Sequence, residues 1–240
     1  MTLLAVDNIT VRYGRLTALH SISLKIAEGE VLFVTGPNGA GKSTLLNTIA
    51  GVVLPISGSI TMDGAEVTGV PPELIAQRRF SLVPEGRNVF GALSIEENLK
   101  VGTGMRTDKQ KIADDLASVY HEFPMLADRR HTPAGMLSGG QQQMLVIGRA
   151  LMTSPRIMAI DEPSLGLAPK IIDQVYEILV RLRAQRKLTL LIVEQSSTRA
   201  MMTGGRIILM RGGRIVLEGE ATHMVKDERL KQAYFGFGDH

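Results

Sequence analysis

One stretch near the start of the chain combines glycine, lysine and serine at a spacing that suits phosphate binding. It reads Gly36-Pro37-Asn38-Gly39-Ala40-Gly41-Lys42-Ser43 and matches the phosphate-binding loop pattern in full. Its glycines let successive backbone N–H groups curl around phosphate oxygens, while Lys42 reaches the terminal phosphates and Ser43 can ligate Mg²⁺. A turn that merely caps a helix is the alternative, but such a turn has no need for lysine and serine after its last glycine.

Two adjacent carboxylates, Asp161 and Glu162, follow the apolar run at residues 157–160. At the end of a buried strand, one carboxylate can hold a metal ion while the next polarises an attacking water. We therefore assign Asp161 to metal binding and Glu162 to the role of general base. Two solvated acids in a turn are the alternative, which the complete phosphate loop disfavours.

A second candidate anion site begins at Ser138. Ser138 lies in the stretch Leu137-Ser138-Gly139-Gly140-Gln141. Apolar residues at helical spacing follow as far as Leu151, so we expect Ser138 to cap a helix. The N–H groups of the two glycines would then face an anion at the positive end of the helix dipole. Taken alone, this stretch is equally compatible with a simple N-cap.

The elements that must position these residues follow from apolar periodicity. Residues 3–11 and 21–26 alternate apolar and polar side chains, which predicts an antiparallel start with one buried face. The apolar run 31–34 leads into the phosphate loop, and residues 42–50 follow the loop as a predicted helix that ends at Gly51. The order is therefore strand, loop and helix, as the phosphate-loop motif requires.

The second half of the chain repeats the alternation of strand and helix. The runs 157–160 and 188–193 flank a helical pattern at 171–182, which indicates a parallel sheet covered by helices. Residues 207–210 and 215–217 predict a hairpin near the end. The fold class is therefore α/β, with an antiparallel β-subdomain at the N-terminus.

A single domain is expected, since the chain shows no internal repeat and no low-complexity linker. Between residues 85 and 154 the pattern is helical without a strong strand signal, which predicts an inserted helical subdomain. Residues 1–84 and 155–240 would then form the nucleotide-binding core of one domain over 1–240.

Together, the phosphate loop, the Asp161-Glu162 pair and the stretch 137–141 resemble the ABC-type ATPase subunits over nearly the whole chain. The resemblance implies a P-loop NTPase core, with ATP and Mg²⁺ as cofactors. It also implies that one chain's segment 138–141 closes over ATP held by the phosphate loop of a second chain. The residues expected to contact ATP are Tyr13, Gly36, Pro37, Asn38, Gly39, Ala40, Gly41, Lys42, Ser43, Thr44, Ser138, Gly139, Gly140 and Gln141.

Three positions depart from the common pattern of that family. Glu85 stands where most members have a glutamine that senses the metal, Gln195 replaces a switch histidine, and Ala168 replaces a loop aspartate. Gln195 can still donate a hydrogen bond to the γ-phosphate, but it cannot titrate near neutral pH as histidine does. We expect Glu162, Lys42 and Gln195 to be catalytic. The metal ligands are expected to be Ser43, Asp161 and Glu85, with a solvated loop acid as the alternative for Glu85.

The departures point to one branch of the family. Residues 83–87, 164–169 and 193–195 resemble the F-type ATP-binding subunit of branched-chain amino acid importers. The resemblance implies a homodimer, or a heterodimer with a similar ATPase subunit, together with two integral-membrane permease subunits and a separate solute-binding protein. The segment 86–97 resembles the docking surface for a membrane helix, although ordinary packing explains its apolar residues equally well. Urea, amides or aromatic acids are alternative cargoes.

Composition limits the remaining function classes. The 240 residues carry 27 Lys plus Arg against 24 Asp plus Glu, and the net charge of +3 is small for a nucleic-acid binder. The longest apolar runs span four residues and the start of the chain has no export signal, so we expect the chain to stay in the cytoplasm. The resemblance to importer subunits implies a peripheral position on the cytoplasmic face of the inner membrane. A cytosolic ABC-type ATPase without a transport role and a small-molecule kinase are weaker alternatives. The kinase would leave residues 137–141 unexplained.

Overall fold

The computed structural model describes residues 1–104, 106–195 and 198–224. Four strands near the N-terminus form the first sheet, in the order β2-β1-β4-β5. They are β1 (Thr2–Tyr13), β2 (Leu16–Ala27), β4 (Ser57–Met62) and β5 (Ala65–Glu66). All neighbouring pairs are antiparallel, and the alternating apolar residues of β1 and β2 put side chains such as Ile9 and Ile22 in the core.

Six strands form the second sheet, in the order β10-β9-β3-β8-β7-β6. They are β3 (Val31–Thr35), β6 (Phe80–Val83), β7 (Ile157–Asp161), β8 (Thr189–Glu194), β9 (Arg206–Arg211) and β10 (Arg214–Glu220). All pairs are parallel except the edge hairpin of β9 and β10. Every residue of β3, β7 and β8 is buried, which explains their continuous apolar character.

The register of the parallel strands decides where the site lies. Thr35 of β3 pairs with Glu194 of β8, and Asp161 of β7 pairs with Val193. The carboxyl ends of these three neighbouring strands therefore meet at one edge of the sheet. Ligands of open α/β sheets bind at this edge.

Helices cover the second sheet. They are α1 (Lys42–Ile49), α2 (Pro72–Gln77), α7 (Pro169–Arg186), α8 (Thr198–Thr203) and α9 (Ala221–Met224). The longest of these, α7, buries an apolar stripe that includes Val175, Leu179 and Leu182. The helical pattern predicted for residues 171–182 is thus confirmed.

A group of helices lies between β6 and β7 in the sequence. It contains α3 (Ile95–Val101), α4 (Lys109–Glu122), α5 (Pro124–Asp128), a 3₁₀ turn at Ala134–Met136 and α6 (Gly139–Leu151). Its apolar residues, among them Leu99 and Phe123, share one continuous core with Ile160 and Leu190 of the sheet. These helices therefore pack against the second sheet in one shared core.

The main sequence expectations for the fold agree with the structure. The antiparallel start, the parallel strands, the helix at 42–49 and the final hairpin all form. Strands β4, β5 and β6 were not predicted, because Ser81 interrupts the apolar run of β6 and β4 begins with Ser57-Gly58, a pair typical of turns. The division of the chain at residues 84 and 154 remains a prediction. Across the described residues, no helix is both long and apolar enough to cross a membrane.

Candidate functional site

The phosphate loop lies between the end of β3 and the start of α1, as the motif predicts. Gly36 has φ 147°, and a Cβ there would lie 2.1 Å from the carbonyl oxygen of Met210. Gly41 has φ 97°, and its Cβ would lie 2.8 Å from the carbonyl oxygen of Ala18. Both positions therefore require glycine, because backbone atoms occupy the space of a side chain and the left-handed conformation disfavours other residues.

The lysine of this loop is almost completely buried. Nζ of Lys42 donates hydrogen bonds to the carbonyl oxygens of Gly36 at 2.8 Å and of Pro37 at 3.1 Å. The same ammonium lies 3.9 Å from Oε1 of Glu162. Lys42 is thus folded over the loop, with its charge directed toward the predicted base.

Glu162 sits immediately after β7 in a left-handed conformation, with φ 47°. Its N–H donates to the carbonyl oxygen of Val193 at 3.0 Å, which attaches it to the neighbouring strand β8. Its Oε2 accepts a hydrogen bond of 2.9 Å from Nε2 of Gln195. A non-glycine residue in this conformation costs free energy, and such strain is concentrated at functional sites.

The three predicted catalytic residues, Lys42, Glu162 and Gln195, therefore meet around one carboxylate. They come from three separate segments, one following each of β3, β7 and β8. Adjacency of these strands in the sheet brings the segments together, although Glu162 and Gln195 are 33 positions apart.

Asp161 has the features of a metal ligand. Its Oδ1 is buried and has no hydrogen-bond partner among the described residues. Burial raises the pKa of this carboxyl above its ordinary value, the Ser43 hydroxyl and the Lys42 ammonium oppose that rise, and Glu162 and Glu85 add to it. A divalent cation would satisfy this oxygen and hold the group ionised, so the donor set of hydroxyl and carboxylate oxygens fits Mg²⁺.

Mg²⁺ does not need a dense cage of protein ligands. It usually retains several waters and takes one or two carboxylates together with substrate phosphates. Among the described residues, no group of three or more histidine, aspartate or glutamate side chains could hold a metal. The Ser43 and Asp161 pair is consistent with a metal that arrives with its nucleotide.

A cleft of about 690 Å³ opens beside these groups. Its lining includes the predicted residues Tyr13, Asn38, Gly39, Ala40, Gly41, Lys42, Ser43, Thr44, Glu85, Glu162 and Gln195. Tyr13 lies at its rim and is half exposed, which leaves the ring available for stacking on a flat ligand. Most of the predicted site residues in the first half of the chain therefore surround one cavity.

The residues 138–141 lie elsewhere. Ser138 caps α6, with its Oγ accepting from the N–H of Gln141 at 3.4 Å and its own N–H donating to Oε1 of Gln141 at 3.1 Å. This reciprocal capping box fixes the start of the helix. None of residues 138–141 lines the cleft that contains Lys42. Within one chain the two anion sites are therefore separate, as the resemblance requires for a site shared by two chains.

Arg87 has a position that the sequence did not indicate. Its Nη2 lies 3.4 Å from the carbonyl oxygen of Leu165 and 3.3 Å from that of Gly166. A Cβ on Gly139 would come within 2.6 Å of its Nη1. The guanidinium thus connects the start of α6 to the loop that follows Glu162. The sequence pattern 83–87 contained this arginine but gave no sign of the contact.

Glu194 is a second residue whose role was missed. It ends β8, directly before Gln195, and only 3% of its surface is exposed. It accepts hydrogen bonds from Ser164 and Tyr176. Nothing in the apolar run 188–193 predicts a fully engaged carboxylate at its end.

Comparisons with known proteins agree with this geometry. The ABC transporter family matches residues 19–165. The branched-chain amino acid transport ATP-binding protein BraG of Pseudomonas aeruginosa is 42% identical over 98% of this chain and 100% of its own length. The probable branched-chain amino acid transport ATP-binding protein LivF of Archaeoglobus fulgidus is 34% identical over 95% of this chain and 96% of its own length. The chain therefore belongs to the ABC transporter family.

Solved structures give the same result for the fold. An ATP-binding cassette of an ABC transporter in its ADP conformation superposes with a TM-score of 0.87 at 26% identity, covering 98% of this chain and 99% of the other. A dimeric cassette in a post-hydrolysis state, bound to ADP and Pi, superposes with a TM-score of 0.77 at 26% identity, covering 91% and 99%. The expected fold class, a P-loop NTPase core of the ABC ATPase type, is confirmed.

Proposed function

We propose that this chain is the ATP-hydrolysing subunit of an importer for branched-chain amino acids. The observation that carries the proposal is the convergence of Lys42, Glu162 and Gln195 beside a glycine-rich phosphate loop. The cleft holds a cation for phosphate, a carboxylate to accept a proton and an amide to orient the reacting groups. The chain contains no Cys, so the cleft holds no cysteine nucleophile.

Phosphoryl transfer to water requires positioning and charge stabilisation above all. The backbone N–H groups of residues 38–43 hold the phosphates, and the Lys42 ammonium exchanges its carbonyl partners for the terminal phosphate. Glu162 accepts a proton from the attacking water, while Gln195 holds that carboxylate through its 2.9 Å hydrogen bond. The Tyr13 ring stacks on the adenine at the rim of the cleft.

Ser43 and Asp161 are the residues that would hold Mg²⁺, with Glu85 at the edge of the same cleft. When bound, the cation neutralises charge that develops between the terminal phosphates. The unpaired Oδ1 of Asp161 supports this assignment. Glu85 is exposed, so its contribution through a bound water fits its position better than burial against the ion.

The start of α6 completes the site of a second chain. Residues 138–141 present a capped helix N-terminus away from the chain's own cleft. A head-to-tail pair would place this helix start against the nucleotide of the partner, and the dimeric state of two similar cassettes supports the pairing of two chains. The second chain is a copy of this one or a similar ATPase subunit.

The names of the relatives support the proposed cargo, and the family resemblance implies the membrane partners. BraG and LivF are named for branched-chain amino acid transport, and they align over nearly the full chain. We therefore assign two integral-membrane permease subunits and a separate solute-binding protein to the working complex, with this chain peripheral on the cytoplasmic face of the inner membrane. The half-exposed ring of Phe90, beside the Glu85 loop, provides apolar surface for a permease helix.

The test is uptake in the native cell with the chromosomal copy changed to Lys42→Ala. Uptake of radiolabelled leucine, isoleucine and valine should fall to background, while uptake of an unrelated sugar stays constant. Urea, amides and aromatic acids are tested in parallel. Loss of uptake of one of these solutes with normal leucine uptake would reassign the cargo. Normal uptake of every amino acid and solute tested would contradict the proposed transport function.

A further inference from the structure

We infer that Glu194 is a positioning residue for the hydrolytic pair formed by Glu162 and Gln195. The inference rests on the proposed function, because it concerns the same reaction. Glu194 is a buried carboxylate at the end of β8. It lines no part of the cleft and lies next to a residue that does.

Among the described residues, the hydrogen bonds to this carboxylate come from two segments. Its Oε1 accepts from the N–H of Ser164 at 3.2 Å and from the hydroxyl of Tyr176 at 2.7 Å. Its Oε2 accepts from the Ser164 hydroxyl at 2.9 Å. Two of the three bonds therefore hold the loop two residues after Glu162, and the third holds α7.

The ring of Tyr176 is itself held firmly. It stacks on Phe33 of β3, with the ring centroids 6.3 Å apart and the planes 18° from parallel. Burial, followed by the charge of Glu194, raises the pKa of the Tyr176 hydroxyl, so this group remains a donor at any physiological pH. Glu194 is thus attached to the middle of the sheet through a rigid aromatic pair.

The consequence concerns the strained backbone at Glu162. The N–H of Glu162 donates to the carbonyl oxygen of Val193, and this bond holds Glu162 in its left-handed conformation on the side of β8. On its other side, the loop is held by the two bonds from Ser164 to Glu194. Since Gln195 follows Glu194 directly, the same anchor sets the distance between the base and its amide partner.

Burial of the Glu194 carboxylate costs desolvation free energy, which indicates that the carboxylate has a function at this position. A buried carboxylate needs hydrogen-bond donors, and the described residues supply three bonds to it here. An apolar residue at the end of β8 would fit the continuous apolar character of the strand at lower cost. The described hydrogen bonds of Glu194 come from Ser164 and Tyr176. Fixing the catalytic pair is a function that explains why a carboxylate accepts these bonds here.

The experiment compares Glu194→Ala and Glu194→Gln in the purified full-length chain, with kcat and KM for ATP measured separately. The amide keeps an oxygen for Ser164 N–H and Tyr176, and it can donate to the Ser164 hydroxyl. We expect Glu194→Ala to lower kcat about tenfold with KM changed less than about twofold. Glu194→Gln should restore at least about half of the wild-type kcat, because the contacts and not the charge position the loop.

Thr189→Val is the matched control. Thr189 is fully buried at the other end of β8, and its Oγ1 accepts from the N–H of Gly29 at 2.9 Å. The substitution removes a buried hydrogen bond from the same strand without touching the site. It should lower the melting temperature and leave kcat unchanged.

Three outcomes would overturn the inference: unchanged kcat in Glu194→Ala, equal loss in the Ala and Gln variants, or a loss that Thr189→Val reproduces. If Glu194→Ala does not fold, Ser164→Ala replaces it, since that variant removes only a hydroxyl and should lower kcat with KM constant. An inactive wild-type chain, even with its membrane partners, would instead contradict the proposed function.

Discussion

At the scale of single residues, the site depends on a carboxylate held between a cation and an amide. Glu162 lies 3.9 Å from the Lys42 ammonium and accepts a 2.9 Å hydrogen bond from Gln195. Substitutions that preserve the shape of the Glu162 side chain therefore separate its role as a base from its structural role.

Glu162→Gln should retain ATP binding and lose nearly all turnover. The amide oxygen can still accept the bond from Gln195, but the group cannot take a proton from water. We expect phosphate release to fall at least about a hundredfold, while nucleotide binding measured by fluorescence titration stays within a few-fold. Glu73→Gln, an exposed change in the first turn of α2, is the control. Wild-type turnover in Glu162→Gln would exclude Glu162 as the base.

Gln195→His should make the ATPase pH-dependent. The imidazole has an ordinary pKa of about 6.5, and the Glu162 carboxylate beside it would raise that value. As the pH falls through this value the imidazole becomes cationic and pairs with Glu162, which weakens the base. The rate should therefore decline from about pH 7.5 to about pH 5.5. Superimposable pH profiles for the variant and the parent would mean that Gln195 is not coupled to the reaction.

At the scale of elements, the loop between β6 and α3 is fixed by two side chains of the helical subdomain. Asn98 of α3 is fully buried; its amide accepts from the N–H of Phe90 at 2.9 Å and donates to the carbonyl of Phe90 at 3.0 Å. It also donates to the carbonyl oxygens of Leu93 and Ser94. Arg149 of α6 donates to the carbonyl oxygen of Asn88 at 2.9 Å and lies over the Phe90 ring.

This anchoring explains how the loop can hold three consecutive left-handed residues. Gly86, Arg87 and Asn88 have φ values of 85°, 66° and 47°. Such a run is unfavourable for non-glycine residues and persists where surrounding contacts determine it. It turns the Arg87 guanidinium back toward Gly139, so the loop that carries Glu85 is coupled to the start of α6.

Asn98→Ala should destabilise the protein by about 3 kcal/mol, because several buried backbone groups lose their partners together. Urea unfolding followed by circular dichroism measures the change. The control is Gln110→Ala on the exposed face of α4, where only a side-chain bond to Asp114 is lost, and we expect a change within about 0.5 kcal/mol. Equal stability of Asn98→Ala and the parent would contradict the anchoring role.

At the scale of the whole molecule, the proposed arrangement gives each chain two half-sites that face different nucleotides. The cleft beside Lys42 and the capped helix at residues 138–141 are separate within the chain. Catalysis should then need a pair of chains. The rate per chain should rise with protein concentration wherever the pair is weak.

A mixing experiment tests this arrangement. Ser138→Arg places a bulky cation at the helix start, and Lys42→Ala removes the phosphate cation, so each variant alone should be inactive. In an equal mixture half of the pairs are mixed and each has one intact site of two, which gives about a quarter of the wild-type rate if sites act independently. Each variant at the same total concentration is the control. Inactive mixtures in which crosslinking demonstrates mixed pairs would contradict independent shared sites.

The amino-acid sequence by itself determined the chemistry and the class of this protein. The phosphate loop, the Asp161-Glu162 pair and residues 138–141 are local motifs whose function depends on consecutive residues. The family resemblance drawn from them is confirmed, together with the antiparallel start and the parallel strands. Apolar periodicity reports burial of a segment, and long buried segments give a clear signal.

Only the tertiary structure decided which of these segments meet. The pairing of Glu162 with Gln195 depends on β7 and β8 being neighbours, and the contacts of Arg87 with Gly139 depend on how the helical subdomain packs. Strand β6 was missed because Ser81 interrupts its short apolar run. The anchoring of Glu194 by Ser164 and Tyr176 joins residues up to 30 positions apart. Contacts of this kind arise from sheet order and packing, which no local pattern specifies.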